Sequence, residues 1–472
     1  MMTKPIKILL RTTIKSETVE GQRHVGGVFR CPAQTVDSEN TRFLDGTVFQ
    51  SKRQDLLSNL VLLRLSNCDL GRKDSMMKEV LLRCLLFYYD VEHRILKFVK
   101  PKEKGGTLVI RTDNIGDFVL WLNSAGALRE RLSGKITLLC SPAVATIAEK
   151  TSFFDEIITM SDKKIVVDPL YRFSLMRSLR RKHYDRVLNP VYSRDYFVND
   201  SVVRNVCASE KVGFGENYHN TEMKMVRCVP DEAYRKRLLA ALLQRADGFY
   251  TRIIEAEEGV KMELKRNAEF VSKLFGTKVA AALPELCFDV PRFDKAKDFI
   301  VLFIGASQVK KTFGGGNFAY VIERLSSFVV LCGGKEDMET ASEIMRTVSK
   351  PERVMNLVGR TSLTDLCAVI REARLVVSND TVAAHFAAMM RAKCIVICPG
   401  IFPGRFHPYD TDDEEEEMKA YFPRAVNYPM DCYGCGGMCK YTNSRTERWP
   451  CIAKISPDMV IKEIRNVLNN DE

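Results

Sequence analysis

The chain has 472 residues, 46% hydrophobic and 28% charged, with a formal charge of +11; this is the profile of a soluble globular protein too long for one ordinary core. No stretch approaches the roughly 20 uninterrupted apolar residues of a membrane-spanning helix. The N-terminal apolar run is too short for a signal peptide, so the sequence reads as cytosolic.

Residues 1–104 are poorly patterned and carry 19 Lys and Arg against 12 Asp and Glu, most of the excess positive charge. Such a basic region fits a nucleic acid, an anionic membrane surface or an acidic substrate, or is simply a solvated face. A helix is predicted over 76–99. Its Leu81, Leu82, Leu85, Leu86, Tyr89, Ile95 and Phe98 cover too much of the circumference for a helix free in water. It therefore packs on the main body or touches a membrane.

From residue 107 strands and helices alternate at short spacing. Strands are predicted over 107–111, 135–140, 156–160 and 186–188, with helices over 118–130, 143–150 and 171–182. Residues 231–276 are charged and helix-forming, and 284–291 reads as an extended linker. A second block follows, with strands over 299–304, 328–332, 354–357, 375–377 and 394–398 and helices over 318–325, 336–348, 362–372 and 383–390. Short alternation of this kind implies parallel strands with right-handed crossovers, hence two Rossmann-like, doubly wound domains facing a cleft. The boundaries drawn are an N-terminal extension over 1–104, a first domain over 105–290 and a second over 291–472. The acidic run over 410–417 reads as a solvated loop, and a closing helix is expected over 457–468.

Two strand-to-helix turns concentrate the polar groups: Arg111-Thr112-Asp113-Asn114-Ile115-Gly116-Asp117 and Ser378-Asn379-Asp380-Thr381-Val382-Ala383-Ala384-His385. Carboxyl ends of strands are where open α/β sheets bind ligands, because the next helix presents free backbone N–H groups and its positive dipole end. There is no G-x-G-x-x-G fingerprint and no Walker A sequence. What remains is anion recognition at strand ends. The segment from Gly305 to Phe313 offers Ser307, Lys310 and Lys311 after one strand; Gly333 and Glu336 follow the next; Asp380 and Thr381 start the helix that bears His385. Together these describe a nucleoside diphosphate site.

The combination of Ile115-Gly116-Asp117, Gly305-Ala306-Ser307 with Lys311 two residues before Phe313, and Ser378-Asn379-Asp380-Thr381 with His385 resembles glycosyltransferase family 9, the ADP-heptose:lipopolysaccharide heptosyltransferases. The resemblance covers about residues 105–470 and implies a GT-B-like architecture. It implies an inverting transfer in which Asp117 is the general base, Ser307 and Lys311 hold the donor phosphates, Asp380 bonds sugar hydroxyls and Thr381 contacts phosphate. Asp117 read alone is also a common helix cap. His385 is either a satisfied core histidine or a contact near the phosphates. The family usually has glycine after the Asp-Thr pair, whereas here a β-branched Val382 stands there and bears on the sugar pocket.

The resemblance further implies a nucleoside diphosphate sugar donor, a glycolipid acceptor and work at the inner face of the plasma membrane. No nucleic acid is expected, although a binding protein using the basic N-terminal region is the rival from another class. No cofactor is expected for catalysis, since Asp410-Thr411-Asp412, a formal DxD, follows no strand; helix dipole and lysine replace the ion. Eleven of the 15 cysteines are scattered singly, as buried thiols in a reducing compartment are. The other four, Cys432, Cys435, Cys439 and Cys451, have a spacing that allows a structural zinc site, with an iron–sulfur cluster or free thiols as alternatives.

Overall fold

The computed structural model describes residues 72–215, 226, 229, 231–412, 416–442, 444 and 446–469. The expectations for residues 1–71 lie outside them, as do 413–415 of the acidic run. The described strands form two parallel sheets. The first contains β1 (Glu103–Lys104), β2 (Thr107–Arg111), β3 (Ile136–Cys140), β4 (Glu156–Thr159), β5 (Lys182–Asn189), β6 (Cys207–Phe214) and β7 (Arg252–Ile254). The second contains β8 (Phe299–Phe303), β9 (Phe328–Cys332), β10 (Val354–Asn356), β11 (Leu375–Asn379), β12 (Cys394–Ile397) and β13 (Arg424–Val426).

The strand orders are β4-β3-β2-β5-β6-β7, with β1 added beside β5, and β10-β9-β8-β11-β12-β13. Both are doubly wound, and in both the order reverses between the first long strand and the fourth. Such reversal points open a crevice at the carboxyl edge, which is why ligands settle there. In the first sheet the reversal lies beside β2; in the second it lies between β8 and β11. The strands are Val-, Ile- and Leu-rich because helices cover both faces: β2, β3 and β11 are buried along their whole length.

The predicted helix over 118–130 is two helices, Ile115–Val119 and Leu122–Arg131. The Trp121 N–H bonds back to the Phe118 carbonyl, a tight turn that sends both aromatic rings into the core. Strand β5 is longer than expected, and β6 and β7 were not anticipated. Strand β6 opens with Cys-Ala-Ser-Glu-Lys and is buried only over its last three residues, so its apolar pattern is too short to stand out. The charged stretch over 231–276 contains a strand between two helices, Glu232–Asp247 and Glu263–Phe275. Asp410 and Asp412 of the acidic run are exposed as expected, and in addition Asp410 pairs with Lys265 while Asp412 accepts the Ala281 N–H.

The helix Arg72–Leu96 packs on the first domain. Leu82, Tyr89 and Leu96 are buried, and Glu92 meets Arg172 at 2.7 Å with both side chains out of solvent. Removing one partner alone would strand a buried charge at about 3–5 kcal/mol. The closing helix, Pro457–Asn469, inserts Val460, Ile461, Ile464 and Val467 into the core of the second sheet. Among the described residues no helix is long and apolar enough to cross a membrane. The two domains touch through apolar surface: Phe118, Trp121 and Leu122 share one cluster with Ala383, Ala384 and Phe386. That contact holds the two motif turns together.

Candidate active site

On the second domain the site is organised by Asn379, the last residue of β11, which is fully buried. Its amide Nδ2 donates to the Ile304 and Gly305 carbonyls at 2.8 and 3.1 Å, and its Oδ1 accepts the Phe313 N–H at 2.9 Å. One side chain thereby clamps both ends of the loop after β8 against the end of β11. Lys311 closes the single 3-10 turn Val309–Lys311 in that loop. From there its Nζ reaches Asp380 Oδ2 at 3.3 Å. His407 Nε2 lies 3.8 Å from the other carboxylate oxygen. Burial pushes the Asp380 carboxyl up, but Lys311 and the two histidines outweigh it and hold the group below the usual carboxylate range.

Thr381 is the N-cap of the helix Val382–Met389; its Oγ1 accepts the Ala383 N–H and lies 3.1 Å from Ser378 Oγ. His385, one turn on, is buried, with Nδ1 2.7 Å from the Tyr409 hydroxyl. Its ring stacks on His407 at 5.5 Å and 6°. Burial and the His407 neighbour push His385 down to about 3, and burial takes His407 to about 4, so both rings are neutral near pH 7. Gly333 is buried at the end of β9, while Glu336 is exposed in the following turn. Asp337 is the inward acid there. It accepts the Gly334 N–H at 2.8 Å, and a Cβ on Gly305 would fall 2.2 Å from its Oδ2, so glycine is what lets the two loops meet. Ser307 is exposed at the start of the β8 loop. Because β9, β8 and β11 are adjacent, Gly333, Lys311, Asp380 and Thr381 line one carboxyl edge.

On the first domain Asn114 is the N-cap of the helix Ile115–Val119, which makes Asp117 its third residue and not its cap. The Asp117 carboxylate reaches back to the Asn114 backbone N–H. Around it lies a buried charge cluster of three acids and two guanidinium groups. Arg111, fully buried, is 3.0 Å from Asp113 and 3.5 Å from Glu263; it donates to Asn267 Oδ1 at 3.1 Å and to the Asp117 carbonyl at 3.2 Å. Glu263 is in turn 3.2 Å from Arg405 Nε, which comes from the second domain. Burial, with Asp117 and Glu263 as like-charged neighbours, pushes Asp113 up to about 7 against the pull of Arg111. Asp117 is raised by burial and by Glu263, although Arg405 and Arg111 oppose it. A carboxylate raised toward neutrality can accept a proton there and release it.

The two turns meet. A Cβ on Gly116 would lie 3.0 Å from the His385 ring and 3.9 Å from Val382 Cα, so the first-domain turn rests directly on the second-domain helix start. Sequence reasoning placed Asp117, Lys311, Asp380, Thr381 and His385 in one cleft, and they are brought together here. It missed Arg111 and Asp113 as partners, although both stand in the turn it singled out. Glu263, Arg405, His407 and Tyr409 were missed for want of any local signal.

Cys432, Cys435, Cys439 and Cys451 border one enclosed cavity beside Ile401 and Trp449. Gly434, Gly436 and Gly437 adopt positive φ, which lets the chain double back between the first three thiols. Among the described residues no group of three or more His, Cys, Asp or Glu is spaced to hold a metal ion.

A family profile described as glycosyltransferase family 9 (heptosyltransferase) matches residues 172–416. Among solved structures, the chain is similar to Escherichia coli heptosyltransferase WaaC with ADP-2-deoxy-2-fluoro heptose, at 15% identity and a TM-score of 0.54 over 77% of this chain and 99% of that one. It is also similar to a family 9 glycosyl transferase from Veillonella parvula, at 15% identity, TM-score 0.53, and 78% and 98% coverage. For the E. coli ADP-heptose lipopolysaccharide heptosyltransferase II the values are 16%, 0.50, 78% and 99%. These likenesses show the two-domain GT-B fold. No curated protein matches the chain in sequence.

Proposed function

Because the chain belongs to glycosyltransferase family 9 and is a glycosyltransferase, we propose that it inverts configuration as it moves heptose from ADP-heptose onto a lipopolysaccharide core or related surface glycolipid. The observation that carries this reading is the apposition of Gly116 on His385, which sets a carboxyl poised to titrate beside a helix start and a lysine. In this reading Asp117 takes the proton of the acceptor hydroxyl as that oxygen attacks the anomeric carbon. Lys311, Ser307, Thr381 and the N–H groups opening the Val382–Met389 helix meet the charge that grows on the departing diphosphate. Gly333 leaves room for the nucleoside, Glu336 meets the ribose or base, and Asp380 accepts from sugar hydroxyls. His385, neutral and bonded to Tyr409, positions the turn and offers Nε2 toward the phosphates.

Val382 favours a second reading of the donor. It packs against the first-domain turn where the family usually has glycine, and its bulk reshapes the sugar end of the pocket toward another nucleotide sugar and a different surface glycan. A donor panel read by nucleotide release separates the two. Release from ADP-heptose above its rate with water alone is expected; release only from a uridine or guanosine donor would replace the sugar and keep the reaction. No release with any donor would overturn the function.

Catalysis in this proposal needs no metal, since Asp410 and Asp412 are engaged by Lys265 and the Ala281 N–H. Transfer is expected to survive EDTA, and magnesium restoring activity to a chelated, folded enzyme would contradict it. For Cys432, Cys435, Cys439 and Cys451 the proposal is one structural ion, zinc or iron, whose binding would draw the four thiols closer than they stand around their shared cavity. Elemental analysis of protein purified without affinity metals checks it; four freely titratable thiols and no metal would sink it. The acceptor would place the protein at the inner face of the plasma membrane.

A further inference from the structure

The first domain has a second concavity that the transfer reaction does not use, about 450 Å³ in volume. Five cations line it, Arg94, Lys97, Arg204, Lys211 and Arg245, with Asp90 as their carboxylate. Asp90 is occupied: Arg204 lies 2.8 Å from it and Arg245 pairs with the same oxygen. Arg94 and Lys97 are exposed on the rim and have no carboxylate partner among the described residues. Lys211 projects from the middle of β6, and its ammonium donates to the Val203 carbonyl at 2.7 Å. An ammonium has three N–H bonds, and among the described residues the other two have no acceptor.

Part of this charge answers the fold. The helices Arg72–Leu96, Asn199–Asn205 and Glu232–Asp247 all end here, and each helix C-terminus carries roughly half a negative charge. Five cations against one carboxylate and three such ends still leave an excess of roughly two to three positive charges. His93, at the same wall, is held down mainly by burial and is bonded to Asn205, so it adds none near pH 7.

The position is as telling as the charge. Arg204 lies three residues before β6, and Gly248 and Phe249 lead into β7, so the concavity lies at the amino edge of the first sheet, opposite the carboxyl edge that holds Asp117. A donor diphosphate and acceptor hydroxyl placed for transfer beside Asp117 lie at the other edge. Arg94 and Lys97 also fall outside residues 172–416, the span matched to the family. We propose that this concavity is a second anion site, which binds a phosphate-bearing ligand carrying about two negative charges. The ligand is either a free phosphate compound or the phosphate headgroup of a lipid. Phe98 and Ile95, exposed beside Arg94 and Lys97, offer an apolar rim that only the lipid would use.

Two probes test this on the full chain: inorganic pyrophosphate by calorimetry, and sedimentation with vesicles containing phosphatidic acid against pure phosphatidylcholine. At least one probe should bind wild type, and the double substitution Arg94→Glu, Lys97→Glu should weaken that binding roughly tenfold or more, the scale of lost charge-assisted bonds. Both side chains are exposed, so folding should be kept. Lys350→Glu with Lys462→Glu makes the same change of net charge on the second domain and should leave binding unchanged. Pyrophosphate affected alone identifies a soluble ligand; vesicle binding affected, and lowered again by Phe98→Ser, identifies a lipid. The site is refuted if neither probe binds, if the Arg94 and Lys97 pair leaves binding intact, or if the second-domain pair lowers it equally.

Discussion

The turns after β2 and after β11 flank the reversal points of their sheets, and each runs into a short helix, yet their carboxylates sit in opposite surroundings. Asp113 and Asp117 share two guanidinium groups with Glu263, so acids outnumber bases in a buried cluster and both carboxyls are raised. Asp380 has the Lys311 ammonium at 3.3 Å, with the His407 and His385 rings close by, and is lowered although it too is buried. Burial is the common factor and does not decide the sign. The balance of charged neighbours does, which leaves one turn able to exchange protons near neutral pH and the other carrying its charge there.

The comparison breaks most visibly at Asp117. Asp117→Asn should keep donor binding and lose transfer by roughly a hundredfold or more, as removal of a general base does; turnover and donor calorimetry on the same preparation check it. Wild-type turnover would leave Asp117 only its reach back to Asn114.

At the other turn, Lys311→Ala should weaken donor binding by about 1.5–3 kcal/mol, the worth of a charge-assisted hydrogen bond. Calorimetry with the donor decides it. A loss in Lys310→Ala without one in Lys311→Ala would move the phosphate contact by one residue.

The two pKa directions predict stability slopes of opposite sign. Asp113, about 7 when folded, favours the folded state below its unfolded value of about 4 and loses that advantage as pH rises toward 7. Asp380, lowered in the fold, stabilises above about 4 and loses this as pH falls. Urea titrations across this window should therefore show a decline toward neutrality that is smaller in Asp113→Asn.

The smallest effect belongs to Thr381→Ala, which removes the cap of the Val382–Met389 helix and should cost about 1 kcal/mol in thermal or chemical unfolding. A loss of donor affinity beyond that of stability would assign the hydroxyl to phosphate.

The two turns were legible because a strand, a polar turn and an apolar helix lie within a dozen residues of one another. Asn114 as cap and Asp117 as third helical residue could not be told apart on composition, since Asp and Asn both serve at helix starts; backbone geometry settled it. Strand β6 escaped because only its last three residues are buried, too few for an alternation to register. The acidic loop is exposed at Asp410 and Asp412 as expected, but their partners Lys265 and Ala281, more than 100 residues away in sequence, could not be read locally.

The sequence by itself determined the alternating architecture, the two doubly wound domains and the membership of a transferase family, because strand burial and helix periodicity are written in neighbouring residues. Tertiary structure alone decided the charge balance of the site. Arg405 meets Glu263, Glu263 meets Arg111 and His385 meets Gly116 across a domain contact. A carboxyl's pKa depends on which charges stand within a few ångströms, and that proximity is created by packing helices that lie far apart in the chain.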